Sequence, residues 1–153
     1  MLPQELNFKA FLKKENKLVK IQSIDFITNK VTYSLNIFDD KEQVACYKSF
    51  EANFNEIELI QCTNQKDKNG NFIYEGDIVR TFESLVGIIR YGKHANVTKN
   101  PINLGWYIEW KDYSNSLIFS NQLLAFSELA NNPSGLEVIG NIYENKESLC
   151  QKQ

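Results

Sequence analysis

Apolar and polar residues alternate with a period of two over much of the chain, the spacing that gives a strand one buried and one solvated side. From Glu5 to Leu12 the residues Leu6, Phe8, Ala10 and Leu12 share one face, and Lys13–Lys17 is a polar turn. Leu18–Ile27 then groups Val19, Ile21 and Ser23, and Thr28-Asn29-Lys30 is a hairpin-length break. Val31–Phe38 alternates cleanly through Val31, Tyr33, Leu35 and Ile37; Asp39–Glu42 ends it and Gln43–Phe50 supplies another strand. Links this short predict an antiparallel meander, because a parallel crossover needs about a dozen residues or more.

Glu51–Asn55 is polar, with room for a helical turn. Glu56–Cys62 reads as a strand with Ile57, Leu59 and Gln61 opposing Glu58, Ile60 and Cys62. The densest turn chemistry follows in Asp67–Arg80. Asn69-Gly70 suits a type I′ turn, in which both central residues take positive φ. Glu75-Gly76 marks a second turn, in which Asp77 bonds nearby backbone amides. Asp77–Phe82 and Leu85–Tyr91 are the next strands, with a bend or bulge expected at Gly87. Gly92–Asn103 contains Pro101 and reads as an exposed loop; Gly105–Lys111 puts Trp106, Ile108 and Trp110 on one face and Tyr107 and Glu109 on the other. After a turn at Asp112–Asn115, Ser116–Phe119 is a short strand. Leu123, Leu124, Phe126 and Leu129 have helical spacing, which predicts one short helix over Asn121–Ala130, stopped by Asn131–Gly135. Leu136–Tyr143 is the last strand, before a polar tail.

Composition strengthens the strand reading. Ten Phe, seven Tyr and two Trp, with plentiful Ile and Val and sparse Ala, favour sheets over helices. The expectation is a mainly β protein with an N-terminal antiparallel meander subdomain over residues 1–66. A small SH3-like β-barrel subdomain over 67–145 and a tail over 146–153 complete it. With 42% hydrophobic and 24% charged residues, the chain has ordinary globular composition.

Charge narrows the function classes. A net charge of −2 supplies no global attraction for nucleic acid or anionic membranes. Cys46, Cys62 and Cys150 are odd in number and lack CxxC spacing, so free thiols are expected rather than a disulfide framework or a zinc site. The opening Met-Leu-Pro-Gln-Glu lacks a basic segment followed by an apolar one, so no signal peptide is expected. No apolar run nears the roughly 18 residues of a membrane helix. A cytoplasmic protein with no membrane partner is the expectation.

Catalytic and metal chemistry find little raw material. Asp67-x-Asn69-x-Asn71 has the start of a calcium loop. Phe72 and Ile78, however, stand where an EF-hand needs glycine and a bidentate glutamate. Asp67, Glu75 and Asp77 read as turn residues before a carboxylate cluster, and His94 is the one histidine, so histidine-based catalysis has almost no raw material. Neither GxGxxG nor a Walker A loop is present; Gly70 and Gly76 are spaced as turns. No cofactor, metal or catalytic residue is assigned. One segment does combine cations with aromatics: Arg80, Arg90, Tyr91, Lys93, Lys99, Tyr107 and Lys111. Small barrels bind single strands with such sets, stacking bases on rings and facing cations to phosphates. Glu83, Glu109 and Asp112 dilute its charge, and Trp106, Ile108 and Trp110 alternate as a core face does.

Three segments together resemble the YopX family, proteins encoded by phages and prophages mainly of Gram-positive bacteria. Phe8-Lys9-Ala10-Phe11 with Lys14-Glu15-Asn16-Lys17 is similar to its opening. Leu59-Ile60-Gln61-Cys62-Thr63, Lys66–Gly70 and Ile73–Val79 resemble its central signature, and Glu137–Asn145 its closing one. Phe11-Leu12 stand where Trp-Asp is usual; Cys62, Asn64 and Gln65 replace Tyr, Gly and Leu, and Lys146 replaces a common proline. The resemblance implies an all-β fold of two subdomains and no activity that transfers residue by residue. The function expected is that of a non-enzymatic phage or prophage accessory protein. It would act through contacts with itself, as a homo-oligomer, or with a host or phage protein. Nucleic-acid binding by the Arg80–Lys111 segment is the alternative.

Overall fold

A computed structural model describes residues 7–39, 44–81, 84–94, 103–110 and 135–144. They form ten strands and one 3-10 turn. The chain divides into two compact units, residues 1–61 and 62–153. Among the described residues no helix is long and apolar enough to cross a membrane.

In the N-terminal unit, β1 (Phe8–Leu12), β2 (Lys17–Asp25), β3 (Lys30–Asp39) and β4 (Val44–Asn53) are joined by short turns. The first half of β5 (Ile57–Lys66) returns beside β1, giving the order β4-β3-β2-β1-β5, antiparallel throughout. Alternation decides the core: Ala10, Leu12, Val19, Val31, Tyr33, Ala52 and Ile57 are buried together on one face. Burial of each of Leu12, Val19, Val31 and Ile57 contributes roughly 1.5–3 kcal/mol. The meander predicted from the sequence is present. Its β2–β3 turn begins earlier than expected, because the Asp25 carboxylate accepts from the amides of Ile27 and Thr28 at 2.8 and 3.1 Å and ends the strand. Asn29 completes the turn at φ 55°. Phe26 and Ile27 consequently stand at an exposed hairpin tip. The expected helical turn is a 3-10 turn at Phe54–Glu56, where Glu56 reaches back to the Asn53 amide at 2.8 Å.

β5 passes through the division, and its second half pairs with β6 (Phe72–Tyr74). Four steps along β5 from Cys62 to Lys66 face two along β6, so the strand bulges, with Asn64 at φ 61°. Side chains take over the ladder there: the Thr63 hydroxyl donates to the Ile73 carbonyl at 2.9 Å and accepts from the Gln65 amide at 3.1 Å. The remaining strands are β7 (Asp77–Arg80), β8 (Val86–His94), β9 (Asn103–Trp110) and β10 (Glu137–Asn141), antiparallel in the order β10-β7-β8-β9. Ile73, Val79, Ile89, Ile108 and Leu136 form the core, with Trp106, Trp110 and Val138 packed against it.

This sheet is open, whereas a closed barrel was expected. Among the described residues β9 pairs only with β8 and β10 only with β7, so the ring of strand pairs that defines a barrel is not completed. Gly87 also departs from expectation. It lies in unbroken register between Val79 and Trp110, without a bulge. A Cβ there would collide with Ile108 Cγ2 and lie 2.9 Å from Trp110 Cε3. Close packing of the Ile108 side chain and the Trp110 ring, rather than a bend, requires the glycine. β8 and β9 continue in register to His94 and Asn103, further into the polar segment than the sequence suggested. The short strand 116–119, the short helix 121–130 and the tail 146–153 lie outside the described residues. Cys46 is in no disulfide, and the Cys62 sulfur accepts from the Asn64 amide at 3.3 Å.

Candidate functional site

Residues 67–80 are where turn chemistry is most concentrated. The Asp67 carbonyl accepts from the Gly70 amide at 3.0 Å, and the Asp67 amide donates to the Asn71 carbonyl at 2.8 Å. This is a three-residue hairpin loop with glycine in the left-handed position, Gly70 at φ 83°. The expected type I′ turn is therefore corrected: Asn69 does not take positive φ. The reason is the Asp67 side chain, whose Oδ1 accepts from the amides of Asn69 and Asn71 at 2.9 and 2.8 Å. Its Oδ2 accepts from the amide of Val138 at 3.2 Å. The Lys68 amide meanwhile donates to the Leu136 carbonyl at 2.9 Å. Asp67, 5% exposed, is thereby both a turn former and a clasp on β10.

Asp77 repeats the device. Its Oδ2 accepts from the Tyr74 amide at 2.8 Å across the Glu75-Gly76 turn, and its Oδ1 accepts from Asn141 Nδ2 at 2.9 Å. Gly76 sits at φ 80°; its amide donates to the Ile89 carbonyl at 2.8 Å and its carbonyl accepts from the Ile142 amide at 2.9 Å. A Cβ on Gly76 would fall 2.7 Å from Tyr143 Cε2. Both conformation and space demand glycine.

Asp67 and Asp77 thus serve as hydrogen-bond acceptors within the fold. Glu75 is half-buried, and burial raises its pKa above the ordinary range, partly offset by the nearby Arg90 charge. His94 ends β8 opposite Asn103. Among the described residues no three His, Cys, Asp or Glu side chains gather as a metal set.

The basic and aromatic residues are divided by the pleat. Arg80, Arg90 and Tyr107 lie on one face of the sheet, where Arg90 is the cross-strand partner of Tyr107. Tyr91 and Lys93 lie on the other, opposite Trp106 and Leu104. Arg80 is bound to Glu137 at 2.9 Å, and Lys68 joins the same carboxylate at 3.0 Å. These cations hold the Glu137 carboxyl below its ordinary pKa, Arg80 most strongly. Arg90 Nε donates to Glu109 at 2.9 Å. Lys99 and Lys111 lie outside the described residues. On the face of Tyr91, the ring packs edge-on against Trp106 at 5.0 Å, with Lys93 and the exposed Leu104 beyond it. The described members of the set are thus divided between the two faces of the sheet.

The YopX protein family model matches residues 7–150. The chain belongs to the YopX family. A solved structure is similar in fold: the crystal structure of protein EF1440 from Enterococcus faecalis, at 22% identity and a TM-score of 0.53, covers 94% of this chain and 97% of that one. No curated protein matches. For this YopX-family chain the closing signature has a physical role. Val138 and Asn141 supply the donors that the central signature's Asp67 and Asp77 accept.

A feature the sequence reading missed lies in the N-terminal unit. Leu12, Tyr33 and Ala52 line a cavity whose rim is charged. Tyr33 and Leu12 belong to alternating core faces, and alternation alone marks them as packing residues; its signal is the run of charges at residues 13–15 beside a core tyrosine.

Proposed function

We propose that this YopX-family protein is a non-enzymatic phage or prophage accessory protein of the bacterial cytoplasm, acting through protein contacts and self-association. The observation that carries the reading is β4. All ten of its residues pair in unbroken register with β3, and among the described residues its other edge has no strand beside it. A long edge of this kind presents unpaired backbone donors and acceptors, and pairing with a second strand satisfies them. Tyr47 on β4 is 77% exposed, offering apolar surface along that edge. The commitment of Asp67 and Asp77 to backbone amides further supports a non-enzymatic role.

Light scattering coupled to size exclusion tests the reading. A dimer or larger closed oligomer is expected at micromolar concentration, falling to monomer in Tyr47→Lys with an unchanged circular dichroism spectrum. A monomeric mass for the natural sequence would overturn self-association.

A further inference from the structure

Asn69-Gly70 is the one Asn-Gly pair of the chain, and both residues are exposed in the loop between β5 and β6. Nothing lies within 4 Å of the place a Gly70 Cβ would take. Such a pair is chemically labile, because no Cβ hinders the glycine nitrogen from reaching the asparagine side chain. The nitrogen gives its proton to a base and attacks Asn69 Cγ. The bond from Cγ to the side-chain nitrogen breaks, and ammonia leaves after taking a proton from solvent. Water then opens the five-membered imide at either carbonyl, giving aspartate or its isoaspartyl form. The sum is asparagine plus water to aspartate plus ammonia, with no redox change.

Three consecutive amides oppose this reaction. The N–H groups of Asn69 and Asn71 donate to Asp67 Oδ1 at 2.9 and 2.8 Å, and that of Gly70, between them, donates to the Asp67 carbonyl at 3.0 Å. Attack requires the Gly70 N–H to lose its proton and the Asn69–Gly70 peptide to turn toward the Asn69 side chain. Both break the Gly70 bond, and the Asp67 carboxylate disfavours a second negative charge on a nitrogen so close to it. Asp67 is in turn held from outside the loop. Its Oδ2 accepts from the Val138 amide at 3.2 Å, and the neighbouring Lys68 amide donates to the Leu136 carbonyl at 2.9 Å. At 5% exposure, water is a poor substitute for these bonds.

We propose that Asn69 is a site of spontaneous deamidation, and that the folded chain suppresses the reaction through Asp67. Docking of β10 closes the lock. A chain without the bonds from Val138 and to Leu136 ages at Asn69, and a chain that has formed them is spared. The isoaspartyl product adds one carbon to the backbone between amides that converge on Asp67, so a chain converted while unfolded loses the register of this loop. The reaction is independent of the pairing of β4, which the mass measurement reads separately.

Peptide mapping by mass spectrometry, with isoaspartate quantified by enzymatic methylation, follows conversion at Asn69 in mildly alkaline buffer. The folded full chain is compared with the same chain in urea and with a synthetic peptide of residues 66–72, which carries Asp67 but lacks β10. Conversion in the folded chain is expected to be at least roughly 3–10-fold slower than in either reference, the worth of the one hydrogen bond that attack must break. Hydrogen exchange at the Gly70 amide should be slowed by at least as much. Asp67→Ala is expected to raise the rate in the full chain to that of the peptide. Where that variant does not fold, Asp67→Ser, which keeps a weaker acceptor for the same amides, is expected to give an intermediate rate. Equal rates in the folded chain and the peptide, unslowed exchange at Gly70, or a folded Asp67 variant that converts as slowly as the natural chain would each sink the proposal.

Discussion

In the N-terminal unit, Asp25 turns the chain from the solvent side, accepting from Ile27 and Thr28, both within three residues of it. In the C-terminal unit, Asp67 and Asp77 do the same local work while buried, and each also binds a donor far along the chain, Val138 for one and Asn141 for the other. An exposed carboxylate leaves water as a substitute for every bond it makes. A buried one has no substitute, so the same residue type changes from a local turn former into a tertiary clasp. The contrast is visible in the glycines too. Gly70 needs only its positive φ, with nothing within 4 Å of a Cβ, whereas Gly76 is held by conformation and by Tyr143 together.

The largest way to break this comparison is Gly76→Val. Left-handed backbone with a β-branched residue and the clash with Tyr143 and Ile142 together cost on the order of 3–5 kcal/mol. The C-terminal unit should lose its cooperative urea transition; an unchanged midpoint would mean that the turn has been misassigned. Asp67→Ala comes next, stranding amides that include Val138, at on the order of 2–4 kcal/mol. Its signature is faster hydrogen exchange at Val138 as well as at Asn71, which a merely local turn would not produce. Gly70→Ala should cost only about 1 kcal/mol, the conformational penalty alone.

Acid sharpens the same contrast. The Asp25 carboxyl is lowered by hydrogen bonds, from the Thr28 side chain first and then the backbone, and Glu137 is lowered by Arg80 and Lys68. A lowered folded pKa contributes stability above the ordinary carboxylate range and loses it as pH falls through the folded value. Glu75 has the opposite sign: burial raises it, so its ionisation opposes folding as pH rises above about 4.5 toward its folded value. Glu75→Gln should therefore raise the melting temperature at pH 7 by a few degrees at most, and the gain should vanish below about pH 4. A gain that persists in acid would assign the effect to packing. Asp25→Ala should move the melting temperature least of all.

Much of this was readable in advance. The alternations through Val31, Tyr33 and Leu35, and through Trp106, Ile108 and Trp110, correspond to the faces that pack. The same parity already separates Arg90 from Tyr91, since neighbours on a strand point to opposite faces. The basic and aromatic set of residues 80–111 is therefore shared between two faces. Asn69-Gly70 was misassigned because dipeptide preference describes backbone alone, while the Asp67 side chain decided the loop.

By itself, the sequence determined most strands among the described residues, their antiparallel links, the positions of their turns and the family to which the chain belongs. These depend on local propensity and period, which neighbouring residues carry. Only the tertiary structure decided which aspartates became clasps, why Gly87 must lack a side chain and where Tyr33 opens into a cavity. Each of those depends on burial and on partners distant along the chain: Asp77 and Asn141 are 64 residues apart, and Asp67 and Val138 are 71. No local pattern records a partner at that distance.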